Sequence, residues 1–171
     1  MKNLEIKARI GDISQYKALC RQIGARRIWT KKQIDTYFKV PKGRLKLREE
    51  GSQKNELIYY QRREGTNKRW SDYDIAPVSR PAAVKRLLGK AYGIAIVVDK
   101  KRLLYQYKNA RIHLDEVRHL GSFLEIEIVV KKDELQAKAL MRTLLDALGL
   151  PQDAFIKESY SDLLHKRKNR R

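Results

Sequence analysis

In the segment "SFLEIEIVVKK", Glu125 and Glu127 stand two residues apart, interleaved with Leu124, Ile126 and Ile128. Successive side chains of an extended chain point to opposite sides, so both carboxylates fall on one face and the aliphatic residues on the other. Two carboxylates so placed can converge on one hard dication, which prefers oxygen ligands. They can also pair across strands with Arg or Lys. The opposite charge recurs in "GRLKLRE", where Arg44, Lys46 and Arg48 share a face against Leu45 and Leu47. Cations in such a row can clamp phosphate oxygens, Arg often through two bonds at once, or can simply form a solubilising face.

The alternation is repeated along the chain. Asn3, Glu5, Lys7 and Arg9 align in the first segment, Lys100 and Arg102 in "KKRLLY", and Arg111, His113 and Asp115 in "RIHLDEV". One such strand would be an ordinary half-buried strand with its polar face in water. Five or six with concordant parity, and with charge that changes sign between them, predict a charged inner wall, provided that amphipathic helices cover the apolar side. Eight strands can close around a cavity of small-molecule size. Enclosed cations repel one another and lose hydration, so such a wall needs water and counter-ions. A triphosphate with Mg²⁺ or Mn²⁺ meets both needs.

The elements that must position these residues can be read from periodicity and punctuation. A strand is expected over residues 3–10, followed by a helix capped by Asp12 with Ile13, Tyr16, Leu19 and Ile23 on one stripe and ended by Gly24. Strands follow at about 33–40, 43–50, 55–63 and 70–75; "VPKG" makes the first hairpin turn and "EGTNK" a later polar one. Ser79 and Pro81 start a second helix with Val84, Leu87 and Leu88 inward, and three strands then end at "SFLEIEIVVKK". Asp133 caps the longest helix, which runs to about Leu148 before Gly149 and Pro151. The order β-α-β-β-β-β-α-β-β-β-α restarts halfway and suggests two similar halves, although no sequence repeat supports this. The expected fold is α+β, an eight-stranded antiparallel β-barrel with amphipathic helices packed outside.

Composition narrows the partners. The 171 residues carry a formal charge of +19 with 42% hydrophobic residues, which is a globular chain with a field that draws polyanions. Cys20 is the only cysteine, so one chain can build neither a disulfide nor a thiolate metal site. No run approaches a membrane-spanning length, so the expectation is a cytoplasmic protein without a membrane partner. The final "HKRKNRR" adds five positive charges and is expected to be a frayed, solvated tail, residues 165–171, capable of non-specific nucleic-acid contact. His119 and His165 belong to no constellation, and His113 alone is more often structural than catalytic. Asp35 and Tyr37 share the inward parity of Gln33 and could orient a base or tie down arginines. Asp72, Tyr73, Tyr160 and Asp162 read more safely as packing or capping residues.

Taken in order, "NLEIKA", "KQIDTYFKVPKGRLKLRE", "ELIYYQR", "SDYDI", "KKRLLY", "RIHLDEVRHLGSFLEIEI" and "KESYSDLL" resemble the CYTH superfamily, the triphosphate tunnel metalloenzymes, and within it the class IV adenylyl cyclase-like branch. The resemblance covers residues 1–164. It implies metal ligands at Glu5, Asp115, Glu125 and Glu127, and phosphate-binding cations at Lys7, Arg44, Lys46, Arg48, Arg62, Lys100, Arg102 and Arg111. Lys7, Arg48 and Arg102 would also act in catalysis. Two positions depart from the pattern: Asn3 stands where the signature has its first glutamate, and Tyr60 where members often carry lysine.

Two function classes follow. The first is a Mg²⁺- or Mn²⁺-dependent enzyme acting on a nucleoside triphosphate or other triphosphate, by cyclisation if the attacking oxygen is the ribose 3′-hydroxyl and by hydrolysis if it is water. The second is a low-turnover module that binds triphosphate, polyphosphate or an RNA 5′ end, because the amide of Asn3 weakens the metal site. A nucleic-acid binder without the tunnel ranks third, since there is no reading helix or stacked-aromatic motif.

Overall fold

A computed structural model describes residues 2–51, 54–62, 71–130 and 133–169, with backbone alone at 2, 3, 62, 71–73 and 152. The elements are β1 (Lys2–Ile10), α1 (Ile13–Gln22), β2 (Arg26–Phe38), β3 (Arg44–Glu50), β4 (Lys54–Arg62), β5 (Ser71–Pro77), α2 (Pro81–Tyr92), β6 (Ile94–Tyr107), β7 (Ala110–Val117), β8 (Gly121–Val130), α3 (Glu134–Ala147), a 3₁₀ turn (Gln152–Ala154) and α4 (Tyr160–Lys168). The expected order is met, with α4 added. The strands form an antiparallel sheet in the order β1-β8-β7-β6-β2-β3-β4-β5. Among the described residues no hydrogen bonds close it from β1 to β5. The "EGTNK" turn and Trp70 lie outside the described residues.

Two compact units are interleaved along the chain, so they are not the sequential halves that the restart suggested. The first comprises Met1–Thr30, Arg102–Val117 and Gly121–Lys157; the second comprises Lys31–Lys101, Arg118–Leu120 and Glu158–Arg171. The boundaries cut through β2 and β6, because each is long enough to serve both.

In the first unit β8 is flanked by β1 and β7, with Ile6 opposite Ile126 and Ile112 opposite the same residue. The aliphatic face so assembled packs with helix residues in one core of Ala8, Ile112, Leu114, Leu124, Ile126 and Ile128 with Cys20 of α1 and Ala137, Met141 and Leu144 of α3. The three α3 residues are spaced as a single helical stripe requires. Full burial of an aliphatic side chain contributes about 1.5–3 kcal/mol, so this face is what fixes the register. Asp12 and Asp133 cap α1 and α3 as expected, Asp12 accepting from the Ser14 N–H and Asp133 from those of Leu135 and Gln136. On the other edge of β1, Ile156 N–H donates to the Lys7 carbonyl at 2.8 Å.

In the second unit β3 lies between β2 and β4, and β5 continues from β4. Phe38, Leu47, Ile58, Val98, Tyr160 and Leu164 are its buried apolar residues. Gly43 adopts φ +67° at the turn into β3, a conformation that side chains disfavour, and an added Cβ would meet the Tyr59 ring.

Three local expectations are corrected. β2 begins at Arg26 and not near residue 33, since Arg26–Lys32 is largely exposed on both faces and shows no apolar alternation. Helix α2 starts with Pro81 after Arg80, without the Ser79 cap, and buries none of its residues; Leu87, expected inward, is 63% exposed. The chain at 165–168 is exposed but continues α4 and does not fray. Ser159 and Asp162 form a capping box that starts this helix, and Arg167 donates to the His119 carbonyl.

Candidate functional site

Each unit carries a charged cluster on its sheet. In the second, the centre is Asp35 of β2, only 2% exposed. Its cross-strand neighbour Arg48 donates from Nε to Oδ1 at 2.8 Å and from a terminal nitrogen to Oδ2 at 2.9 Å. Lys46 Nζ donates to Oδ2 at 3.1 Å, and Lys100 Nζ of β6 lies 3.7 Å from the same oxygen. Burial alone would raise this carboxyl; Lys46, Lys100 and Arg48 together hold it well below the ordinary 3.8. Lys46 shows the converse, lowered by burial and partly restored by Asp35.

This asymmetry has a measurable consequence. When the folded state holds a carboxyl below its unfolded value, the unfolded chain takes up the proton first, so the stabilisation is complete above about pH 4 and is lost as pH falls through the folded value. Asp35→Asn is therefore expected to be less stable than the parent protein at pH 7. The gap should shrink steadily as pH falls below about 4, which urea unfolding at several pH values would show.

Aromatic rings flank the same cations. Lys46 Nζ lies 5.5 Å from the Tyr37 ring centre and 5.9 Å from that of Tyr60, and Lys100 Nζ lies 5.5 Å from that of Tyr160. Tyr60 thus offers Lys46 a ring face where the resemblance led one to expect another lysine. Arg44 is held at the start of α4, donating to Ser159 Oγ at 2.9 Å, Ser161 Oγ at 3.2 Å and Asp162 Oδ1 at 2.8 Å.

The first unit's cluster is built on cross-strand rows. Glu5, Glu127 and Arg111 form one row across β1, β8 and β7; Lys7, Glu125 and His113 form the next. Lys7 Nζ lies 3.3 Å from Glu125. Arg102 grips Asp115 through two bonds of 2.7 and 2.6 Å and reaches Glu125 at 2.5 Å. Arg111 lies 3.1 Å and His113 Nε2 3.6 Å from Glu127. Glu127 is held below 4.5, first by the hydrogen bond with His113, against the opposing effect of burial. His113 itself is lowered by burial and by the Arg102 charge.

The two clusters differ in sign. Around Asp35 and Asp162 stand Arg44, Lys46, Arg48 and Lys100, an excess of cations; Lys7, Arg102 and Arg111 face Glu5, Asp115, Glu125 and Glu127, an excess of carboxylates. Among the described residues no three His, Cys, Asp or Glu side chains form a group placed to hold a metal by themselves. Glu5 and Glu127 are nonetheless direct cross-strand neighbours, like charges whose repulsion Arg111 offsets in part at Glu127. That donor set fits a hard divalent cation that takes two carboxylates and completes its shell with water and substrate oxygens.

Of the expected site residues, Lys46, Arg48 and Lys100 meet at Asp35, and Lys7, Arg102, Asp115 and Glu125 form one linked set. Arg44 is engaged instead by α4. The side chains of Asn3, Arg62, Asp72 and Tyr73 lie outside the described residues. Sequence reasoning sets His113 aside, yet it is 7% exposed, and its Nδ1 is buried with no hydrogen-bond partner among the described residues. Its shared parity with Arg111 and Asp115 is the available signal. The Ser159 and Asp162 spacing, a capping-box signature, could have revealed α4.

Similar proteins agree on this architecture. The PH1012 protein from Pyrococcus horikoshii superposes with a TM-score of 0.82 at 23% identity, over 94% of this chain and 98% of that one. A candidate adenylate cyclase from Vibrio parahaemolyticus gives 0.76 at 18% identity, over 96% and 98%. A candidate adenylyl cyclase from Hippeastrum, HpAC1, with a dominant triphosphatase activity, gives 0.70 at 16% identity, over 98% and 96%. No curated protein matches. At these identities the structures speak for the fold alone, but the CYTH domain profile matches residues 1–160, and the chain belongs to the CYTH domain family.

Proposed function

We propose that this protein is a divalent-metal-dependent enzyme acting on a nucleoside triphosphate or inorganic triphosphate. The observation that carries the reading is burial of cations in both clusters: Lys7, Lys46 and Lys100 are 5%, 9% and 4% exposed. Buried ammonium groups are costly unless anions meet them, and the second unit's cations outnumber its carboxylates. In this reading Lys46, Arg48 and Lys100 take phosphate oxygens, with Lys7, Arg102, Arg111 and Arg62 as further phosphate-binding cations. Arg44 joins them only by sharing itself with α4. Glu5 and Glu127, with Asp115 and Glu125 beside them, would hold Mg²⁺ or Mn²⁺. The bound ion would neutralise phosphate charge and polarise the phosphoryl group. Arg48, with its guanidinium oriented by Asp35, would stabilise charge that develops on the transferred group, as fixed donors do. Lys7 and Arg102 would act likewise.

Incubation with ATP and with tripolyphosphate, with and without Mg²⁺ or Mn²⁺, tests the reading. Cyclic nucleotide with pyrophosphate would mark a cyclase; diphosphate with phosphate would mark a triphosphatase. Absence of any metal-dependent product would overturn the enzyme assignment. One observation favours a second reading, a low-turnover triphosphate or polyphosphate binding module: Asp115 and Glu125 are already neutralised by Arg102 and Lys7. Tight tripolyphosphate binding without products would select it.

The exposed end of α4 supports a separate, non-specific contact with nucleic acid. Replacing Lys166, Arg167 and Lys168 with Gln is expected to weaken single-stranded RNA binding, most at low salt. The slope of log affinity against log salt should flatten by about 0.7 for each phosphate that these side chains neutralise in the parent protein. Triphosphate turnover should stay within about twofold, since these side chains are exposed and charges in water are strongly screened. Filter binding across a salt series, with turnover in parallel, checks both.

A further inference from the structure

We propose that Asp35 is a positioning residue for polyphosphate: it touches no ligand, but holds Lys46, Arg48 and Lys100 in the one arrangement that receives phosphate oxygens. The proposal rests on the function proposed above and deepens it. Three cations from two strands meet this one carboxylate, Lys46 and Arg48 on β3 and Lys100 on β6, at 3.1, 2.8 and 3.7 Å. Without it, their mutual repulsion would drive three long side chains apart. Both of its oxygens are taken up by these cations, and a carboxylate ringed by cations is a poor place for a phosphate, a dication or a general base.

The donor inventory supports the same role. An ammonium carries three N–H groups and a guanidinium five. Asp35 accepts one bond from Lys46 and two from Arg48, so it orients both groups without exhausting their donors. The neighbouring rings of Tyr37, Tyr60 and Tyr160 restrict the lysines further while adding no competing full charge. The result is a set of cations whose ordering cost is met before a ligand arrives, which is the meaning of preorganisation.

This role makes a prediction opposite in sign to simple electrostatics. Asp35→Asn removes a negative charge from a cationic site, so charge alone would tighten polyanion binding. Positioning predicts the reverse. Titration calorimetry with inorganic tripolyphosphate, at fixed salt and Mg²⁺, on the parent protein, Asp35→Asn, Asp35→Glu, Arg48→Lys and Asp35→Asn/Arg48→Lys, with thermal unfolding of each, separates the two. The expected result is at least a tenfold loss of affinity in Asp35→Asn and a smaller loss in Asp35→Glu, which keeps the charge but displaces it by one methylene. The double variant should lose less than the sum of the single losses, because both act through one contact. Equal or tighter binding by folded Asp35→Asn, or strictly additive losses, would overturn the proposal. If Asp35→Asn fails to fold, Asp35→Glu carries the test, and parent-like affinity there would be equally fatal. Failure of both to fold would make Asp35 a structural carboxylate and overturn it as well. A parent protein that does not bind tripolyphosphate would instead remove the proposed function, and this inference with it.

Discussion

Glu127→Gln is expected to reduce metal-dependent triphosphate turnover by more than about 100-fold, beyond the ~10–100-fold that loss of an outer-sphere partner typically costs. The amide keeps the shape and one acceptor oxygen but removes the charge that a hard dication requires. The fold should survive, because Glu127 is 23% exposed and its Arg111 partner 41%, so no deeply buried cation is stranded. Loss should be accompanied by a higher Mg²⁺ requirement in rate measurements over a metal titration. Glu116→Gln, on an exposed position of β7, is the control and should change neither quantity. Full Mg²⁺-dependent turnover in folded Glu127→Gln would remove this residue from the metal-binding set.

Arg102→Met should lose stability by about 3–5 kcal/mol, as expected for removing one partner of a buried ionic group, in addition to the turnover that its proposed phosphate contact carries. Asp115 is fully buried, and Arg102 is the cation that bonds it at both oxygens. Methionine fills much of the space but leaves this carboxylate and Glu125 without that charge. For a chain of this size the melting temperature should fall by about 6–20 °C. The diagnostic is rescue: adding Asp115→Asn to Arg102→Met should recover part of the loss, since the burden is an uncompensated charge and not a missing contact. Urea unfolding of the four proteins in that cycle measures the coupling, and additive losses would refute the ionic account.

Much of this arrangement is legible because strand periodicity carries face information directly. Alternation at Glu5 and Lys7, at Lys46 and Arg48, and at Glu125 and Glu127 places each pair on a charged face, and burial of Lys7 and Lys46 agrees. What periodicity omits is register. Nothing local says that Glu5 opposes Glu127, or that Arg48 opposes Asp35, because pairing is settled by the apolar faces that pack together. Arg44 shows the same limit, since its partners lie more than a hundred positions away at Ser159, Ser161 and Asp162. Helix α4 escapes a reading by pattern for a different reason: its charged residues show little amphipathic periodicity, and its start is marked only by the capping box. Helix α2 fails in the opposite direction, with a readable apolar stripe that the fold leaves half exposed.

The pairing of β1 with β8 also orders events during biosynthesis. Lys2–Ile10 leaves the ribosome well before its partner Ser122–Val130, which follows about a hundred residues later. At ~5–20 residues per second, the first strand waits on the order of ten seconds with both edges open. Its second neighbour, the stretch at Phe155 and Ile156, arrives later still. An open strand of alternating aliphatic residues is a template for wrong pairing, and Glu5, Lys7 and Arg9 are the kind of charged residues that discourage it. Neutralising them should therefore show first as aggregation of newly made chains, before any defect in the finished protein is measured.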